Sequence, residues 1–171
     1  YSTDLFRMNA LPDARLVLRE EELDAALELL MLSEAALWAA CDAALDAEPE
    51  RRPPLGRGHY RAAFLLKRRP GVGVQELSRL TGLSKQGASK VLGDLERHGL
   101  AAREAGEHDA RRRPASLTPA GAVFEARVSE RLRGLLARAY RSGGLDAVGG
   151  ARRILAAMAG RRVHEAGAGV I

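Results

Sequence analysis

Two short amphipathic segments joined by the turn Thr81-Gly82-Leu83 constrain the fold more than any other feature of this 171-residue sequence. The first segment, VQELSRLTG, places Leu77 and Leu80 on one face and ends at a glycine, as helices often do. The second begins at Ser84, a residue type that caps helix N-termini, and runs to about His98. Two short helices joined by so tight a turn are typical of a helix-turn-helix, in which the first helix supports the second.

The sequence on either side of this motif predicts a mainly α protein with a small β-hairpin, an α+β fold. A helical period begins at Glu20 and continues to about residue 45. After Gly99, the segments LAAREAG and PASLT are short enough to be two strands. Helix returns at Thr118-Pro119 and is broken by SGG at residues 142–144. The apolar stripe of the N-terminal helix comprises Leu23, Leu27, Leu30, Leu37, Cys41 and Leu45.

This order of elements predicts a winged helix-turn-helix flanked by N-terminal and C-terminal helices. The expected boundaries are an N-terminal arm over residues 1–19 and an N-terminal helix with its linker over 20–56. The winged helix-turn-helix is expected over 57–121, and the C-terminal helices with a flexible tail over 122–171. The linker is marked by the proline- and glycine-rich stretch EPERRPPLGRG.

Charge is distributed unevenly along the chain. The net charge is +5, yet the stretch from Glu20 to Glu48 holds nine acidic residues and no Lys or Arg. The remainder is therefore strongly basic, which favours a polyanionic partner such as nucleic acid. Four carboxylates interrupt the most apolar stretch, and a membrane span would not carry them. With one cysteine and no signal-peptide pattern, the sequence predicts a cytoplasmic protein without disulfides.

The first turns of the second helix carry side chains suited to contacting DNA. Gln can bond bidentately to adenine, Lys can bond to guanine, and Ser can bond to bases or phosphates. Gly87 keeps the helix slim, so that its backbone can approach a duplex closely. The alternative is an ordinary solvated helix. The candidate DNA-binding residues are Ser84, Lys85, Gln86, Gly87, Ser89 and Lys90.

A second group of candidate DNA-binding residues lies at the tip of the predicted hairpin. Arginines in such a position can enter a narrow minor groove, where the negative potential is strongest. Asp109 would repel phosphate, so we interpret it as a local partner that fixes Arg111. The alternative is a charged loop that is exposed to solvent and does not contact DNA. This group comprises His108, Asp109, Arg111, Arg112 and Arg113.

The string DARRRPASLTPAG resembles the wing signature of the MarR family of regulators, Asp-x-Arg followed after a gap by Leu-Thr-x-x-Gly. The matching positions are Asp109, Arg111, Leu117, Thr118 and Gly121. GRGHYRAAFLLKRRPG and SKQGASKVL bear a fainter likeness to the PetP-type branch. The resemblance implies a homodimer formed by the flanking helices, with two winged helices on a pseudo-palindromic operator of double-stranded DNA. We expect a repressor, with an activator as the alternative.

The resemblance also implies a small-molecule effector, whose identity the sequence does not give. Candidate ligand-binding residues combine apolar walls with polar anchors: Trp38, His59, Tyr60, Arg61 and Phe64. The competing interpretation makes Trp38 and Phe64 core residues and His59 a helix cap. An alternative function is redox sensing through Cys41. A buried, inert thiol is favoured, because the cysteine lies on the apolar stripe beside Asp42.

Other functional classes find less support in the sequence. The four histidines lack metal-ligand spacing, so we expect no structural metal and no cofactor. No nucleophile-base pair or carboxylate pair stands out, so we expect no enzymatic activity. A winged helix that binds only protein remains an alternative. It would not need Lys85, Gln86 and the arginines of the hairpin to be exposed together.

Overall fold

The computed structural model describes residues 18–47, 54–103 and 114–160. Their elements are the helices α1 (Glu20–Asp46), α2 (Arg57–Arg68), α3 (Val74–Thr81) and α4 (Lys85–Arg97), the strands β1 (Ala101–Arg103) and β2 (Ala115–Leu117), and the helix α5 (Pro119–Ala159). The predicted fold class, mainly α with a small antiparallel hairpin, is confirmed. None of the helices in this part of the chain is long and apolar enough to cross a membrane.

The chain divides into two compact units, one ending at Ala36 and the other beginning at Leu37. Within the first unit the described residues are 18–36, and from Glu20 onward they are helical. Their side chains are all exposed, including the leucines of the predicted stripe. In the second unit, by contrast, the part of α1 from Leu37 onward contributes Cys41 and Ala44 to a buried core.

The core of the second unit lies among α2, α4, the two strands and α5. Its largest fully buried side chains include Phe124 and Val128 of α5, Leu66 of α2, and Leu92 and Leu95 of α4. Small residues such as Ala62, Ala63, Ala88 and Ala115 fill the space between them, which suits a chain with only 4% aromatic residues. This packing holds α3 and α4 against α2 and fixes the faces they expose.

The hairpin and the start of α5 are joined by close backbone contacts. β1 and β2 pair antiparallel, with Ala101 opposite Leu117 and Arg103 opposite Ala115. Thr118 caps α5: its Oγ1 accepts from the Gly121 N–H (3.1 Å) and donates to the carbonyl of Gly99 (2.6 Å). The predicted break near residues 142–144 is present as non-helical backbone at Gly144 (φ 78°, ψ 174°) within α5.

Candidate nucleic-acid interface

The turn between α3 and α4 is held by side chains on both sides of it. Gly82 adopts a left-handed conformation (φ 74°), and its N–H donates to the carbonyl of Ser78 (2.9 Å). Ser78 Oγ donates to the carbonyl of Leu83 (2.6 Å), and the buried Thr81 Oγ1 accepts from the Leu83 N–H (3.2 Å). The guanidinium of Arg61 donates to the carbonyl of Thr81. The direction in which α4 leaves the turn is therefore fixed.

α4 divides into one buried and one exposed face. Ala88, Leu92 and Leu95 are fully buried, at the i, i+4, i+7 spacing of a helix face. Ser84 is the N-cap, and its Oγ accepts from the Gly87 N–H (3.0 Å). The candidate residues Ser84, Lys85, Gln86, Ser89 and Lys90 are all exposed. The first turns of α4 thus present a polar, cationic surface on a rigid support.

Gly87 has a role that the sequence pattern did not reveal. A Cβ built at this position would lie 3.2 Å from Ser84 Oγ and 3.7 Å from Leu83 Cβ. The first of these distances is tighter than ordinary van der Waals contact, so a larger residue would press on the capping hydroxyl. The glycine leaves room for the N-cap, in addition to keeping the helix slim.

A surface cleft of about 660 Å³ lies beside this exposed face. It is lined by residues 73–76 at the start of α3, by Ser78 and Arg79, and by Lys85. The N-terminus of a helix carries partial positive charge and free N–H groups, which favour anions such as phosphate. The charged side chains that line the cleft are Glu76, Arg79 and Lys85, so one positive charge remains in excess, and Lys85 belongs to both the cleft and the start of α4.

Asp94, on the buried side of α4, was not singled out from the sequence. Its carboxylate is 1% exposed and accepts from three side chains. Lys90 Nζ and His59 Nε2 each lie 3.0 Å from Oδ2, and Arg97 pairs with Oδ1. His59 Nδ1 accepts from the Gly56 N–H (2.9 Å), so the neutral ring carries its proton on Nε2 and donates it to Asp94. His59 therefore caps α2 and ties it to α4.

The pKa of His59 is lowered from 6.5, first by burial and then by the charges of Lys90 and His98. Well above about pH 6.5 the ring is neutral in both the folded and the unfolded chain. At lower pH the unfolded chain takes up a proton that the folded chain resists, so the free energy of unfolding should fall. Urea titrations at about pH 7.5 and about pH 5.5 should show a smaller loss for His59→Gln than for the parent chain. An equal loss would remove His59 as the cause.

The candidate ligand residues do not converge on one pocket in the described part of the chain. Trp38 is half-buried, with the guanidinium carbons of Arg57 and Arg61 each 5.7 Å from its ring centroid. Tyr60 is buried, and its hydroxyl lies 2.9 Å from Ser129 Oγ. Phe64 packs against the core and stands 6.0 Å from the Tyr60 ring. Each of these residues has a structural partner, in agreement with the interpretation that makes them core and capping residues.

Cys41 is fully buried, and its pKa is raised to about 11, first by burial and then by the charge of Asp42. A thiol with that pKa is almost entirely protonated near neutral pH, whereas peroxide-sensing cysteines are exposed thiolates. The environment of Cys41 is therefore that of an inert core residue. Among the described residues, no group of three or more His, Cys, Asp and Glu side chains is placed to hold a metal ion.

The hairpin tip lies outside the described residues, and with it His108, Asp109, Arg111, Arg112 and Arg113. Its base is described and is anchored to α4, since Arg103 Nε lies 2.9 Å from Glu96 Oε1. Val72 forms an additional antiparallel bridge with Ala115. The base of the hairpin is thus fixed next to the C-terminal end of α4.

The fold, the rigid turn and the exposed helix define a winged helix-turn-helix protein. Residues 54–112 match the sequence profile of the MarR family. The HTH-type transcriptional regulator PetP of Rhodobacter capsulatus is 36% identical over 143 residues, which cover 84% of this chain and 83% of that protein. The chain belongs to the MarR family of transcription regulators. Regulators of this family are not enzymes, so the chain is not one either.

Solved structures agree with this assignment. A MarR-family regulator from a Rhodococcus species matches with a TM-score of 0.66 at 20% identity, over 84% of this chain and 98% of that one. A MarR-family protein of Mycobacterium tuberculosis, solved in complex with p-aminosalicylic acid, matches with a TM-score of 0.55 at 27% identity. That match covers 75% of this chain and 93% of the other.

Proposed function

We propose that the chain is a sequence-specific, double-stranded DNA-binding repressor that acts in the cytoplasm as a homodimer on a pseudo-palindromic operator. The observation that carries this proposal is the two-faced α4. Its inner face is fully buried at Ala88, Leu92 and Leu95, while Lys85, Gln86 and Ser89 are exposed at its capped N-terminus. A helix supported in this way can enter a major groove with its N-terminal residues against base edges.

Two kinds of DNA contact are assigned within the proposal. Gln86 and Lys85 read base edges, with Ser84, Ser89 and Lys90 beside them and Gly87 allowing close approach. The cleft at the start of α3 binds phosphates, and the arginines of the hairpin tip enter the minor groove beside the phosphate backbone. Lys90 forms an ion pair with Asp94, one turn further along α4, so its ammonium group points toward the C-terminal end of the helix and away from Lys85. In this proposal residues 57–121, the range predicted from the sequence, are the DNA-binding part.

Replacing Gln86 with alanine tests whether this helix reads sequence. Loss of a bidentate contact to one base pair should remove about 1–3 kcal/mol of discrimination at that position and leave binding to random DNA nearly unchanged. The measurement is competition between the selected site and its single-base variants. Glu130→Ala, which truncates an exposed side chain of α5 that is not among the assigned DNA contacts, is the control. Equal weakening on selected and random DNA would exclude Gln86 as a base reader.

Homodimerisation is proposed from apolar side chains that the single chain leaves exposed. α1 exposes Leu29, Met31 and Leu32 at 59–66%, and α5 exposes Leu145 at 91% and Ile154 at 63%. Monomeric proteins seldom expose so many large apolar residues on adjacent helical turns, and a second copy of the chain would remove them from water. A dimer also supplies the two recognition helices that a pseudo-palindromic operator requires.

The proposed effector is a small aromatic carboxylate that binds at Trp38. Two arginines already stand beside its ring, and Arg61 also holds the Thr81 carbonyl of the helix-turn-helix turn. An anion that competes for Arg61 would loosen that turn. The Mycobacterium tuberculosis relative was solved with p-aminosalicylic acid, a ligand of this class. His59, Tyr60 and Phe64 complete the candidate set, and a role for Cys41 as a redox sensor is the weaker alternative.

Salicylate titrated into the protein-DNA complex tests this effector site. We expect release of DNA from the parent chain and a curve shifted to about tenfold higher salicylate for Trp38→Leu, which removes the aromatic wall. Benzyl alcohol, which lacks the carboxylate, should have no effect. Identical curves for the parent chain and the variant would contradict a site at Trp38.

A further inference from the structure

A second buried carboxylate, Glu125, is held in a chain of polar groups that runs between α2 and α5. Glu125 and Ser129 are each 1% exposed, and they lie one turn apart on the same face of α5. Ser129 Oγ bonds to Glu125 Oε1, and Lys67 of α2 pairs with Oε2. Tyr60, two turns before Lys67 on α2, places its hydroxyl 2.9 Å from Ser129 Oγ. We call these four residues the Glu125 chain.

The direction of every hydrogen bond in the Glu125 chain follows from its ends. The Lys67 ammonium group can only donate, and a carboxylate beside it can only accept. Ser129 must therefore donate its hydroxyl proton to Glu125, which leaves its oxygen to accept from the Tyr60 hydroxyl. Burial raises the pKa of Tyr60, so this hydroxyl keeps its proton across the physiological range. The Glu125 chain therefore has a single arrangement of hydrogen bonds, and a shift of α5 along α2 would break these bonds.

The surrounding contacts between α2 and α5 do not fix a register by themselves. Leu66 and Ala63 of α2 pack in the same core as Phe124 and Val128 of α5, and apolar contacts are non-directional. Buried polar groups that lose their partners are costly, so they favour one register over its neighbours. Tyr60 and Lys67 of α2 make such directional contacts with α5. Their partners, Ser129 and Glu125, lie on two successive turns of that helix.

The position of α5 matters because α2 also holds the recognition helix. The residues His59 and Tyr60 are neighbours in sequence, and they face different helices. His59 bonds to Asp94 of α4, and Tyr60 bonds to Ser129 of α5. Beyond the Glu125 chain, α5 exposes Leu136 and Tyr140, and further along it lie Leu145 and Ile154, which were assigned above to the contact with the second copy. α2 thus connects the helix that reads DNA to the helix that carries the dimer surface.

We propose that the Glu125 chain sets the half-site spacing that the dimer accepts, by fixing the register of α5 on the DNA-binding part. This inference rests on the proposed function. A base pair adds about 3.4 Å to a duplex, and one turn of helix is about 5.4 Å. A slip of α5 by less than one turn would therefore move the two recognition helices by about one base pair. Tyr60, Lys67, Glu125 and Ser129 act as positioning residues without touching DNA.

The test uses duplexes that carry the site selected by the parent chain, with the half-site separation unchanged or altered by one base pair in either direction. The variants are Tyr60→Phe, which removes one hydroxyl, and the double variant Lys67→Met with Glu125→Gln, which removes both charges together. Arg68→Met is the matched control, because Arg68 is an exposed cation next to Lys67 that pairs with Phe64 instead. Dimer content and melting temperature are measured alongside DNA affinity.

We expect the parent protein and Arg68→Met to bind the duplex with the unchanged spacing much more tightly than the duplexes with altered spacings. This ratio of affinities should fall about tenfold in Tyr60→Phe and in the double variant, while both remain dimeric. If melting temperatures fall but spacing discrimination stays at the parent value, the Glu125 chain is only structural and the inference is overturned. The double variant decides the matter if Tyr60→Phe does not fold. Failure of the parent chain to bind any duplex would instead contradict the proposed function.

Discussion

Replacing Gly121 with alanine is expected to destabilise the fold by at least about 3 kcal/mol, because there is no space for a methyl group. A Cβ at this position would lie 1.8 Å from the carbonyl oxygen of Leu100 and 2.8 Å from its carbonyl carbon. Both atoms are backbone, and the same carbonyl accepts from the Thr118 N–H (3.1 Å). Relief would require the start of α5 to move away from the hairpin. Thermal unfolding should show a loss of about 10 °C.

The matched control is Gly93→Ala, in α4. No heavy atom outside the local helix lies within 4 Å of a Cβ at Gly93, and alanine is a better helix former than glycine by about 1 kcal/mol. The control should therefore leave stability unchanged or raise it. Similar melting temperatures for both variants and the parent chain would show that α5 does not approach Leu100 as closely as described.

The affinity for operator DNA is expected to fall steeply with salt. A protein that neutralises about six to ten phosphates loses roughly 10³- to 10⁵-fold in affinity between about 50 and about 200 mM salt. The proposed dimer has two α3 clefts, two recognition helices and two basic hairpins available for such contacts. Fluorescence anisotropy of a labelled duplex over this salt range gives the slope. A slope near zero would favour the alternative of a winged helix that binds only protein.

Arg111→Ala should weaken binding to all sequences and flatten that slope by about 0.9 for each phosphate that the variant no longer neutralises, so by close to 2 for a dimer. Arg68→Ala, which removes an exposed cation of α2 that is not among the assigned DNA contacts, should leave the slope unchanged. An unchanged slope for Arg111→Ala would remove the hairpin tip from the phosphate contacts. Base preference should survive this substitution, because the proposal assigns base reading to α4 and backbone contacts to the wing.

Local signals in the sequence were sufficient for much of the fold. Ser84 and Gly82 define the two ends of the turn by capping and by left-handed backbone, and both are confirmed. The Leu-Thr-x-x-Gly resemblance also acquires a physical basis. Thr118 caps α5, and Gly121 permits close approach of the hairpin backbone. Signals of this kind depend on neighbours within a few residues, so the sequence displays them directly.

The buried polar contacts could not be predicted in the same way. Asp94 and Glu125 are charged residues in helices, where charge usually marks an exposed face, yet each is 1% exposed. Their partners on α2, His59 and Lys67, are respectively 35 and 58 positions away in sequence. No periodicity or motif in the sequence indicates that these residues form pairs. The same reason explains why Arg61, a candidate ligand residue, was not recognised as a contact to the turn.

Selection of bound duplexes from a random-sequence library by the purified protein tests whether it is a sequence-specific, dimeric DNA-binding regulator. We expect enrichment of two inverted half-sites whose centres lie about 10 base pairs apart, or a multiple of that, because both recognition helices must face the same side of the duplex. The substitutions Lys85→Ala and Gln86→Ala together should abolish the enrichment. Selection of no motif by the parent chain at low salt, or of the same motif by the double variant, would contradict the proposed function.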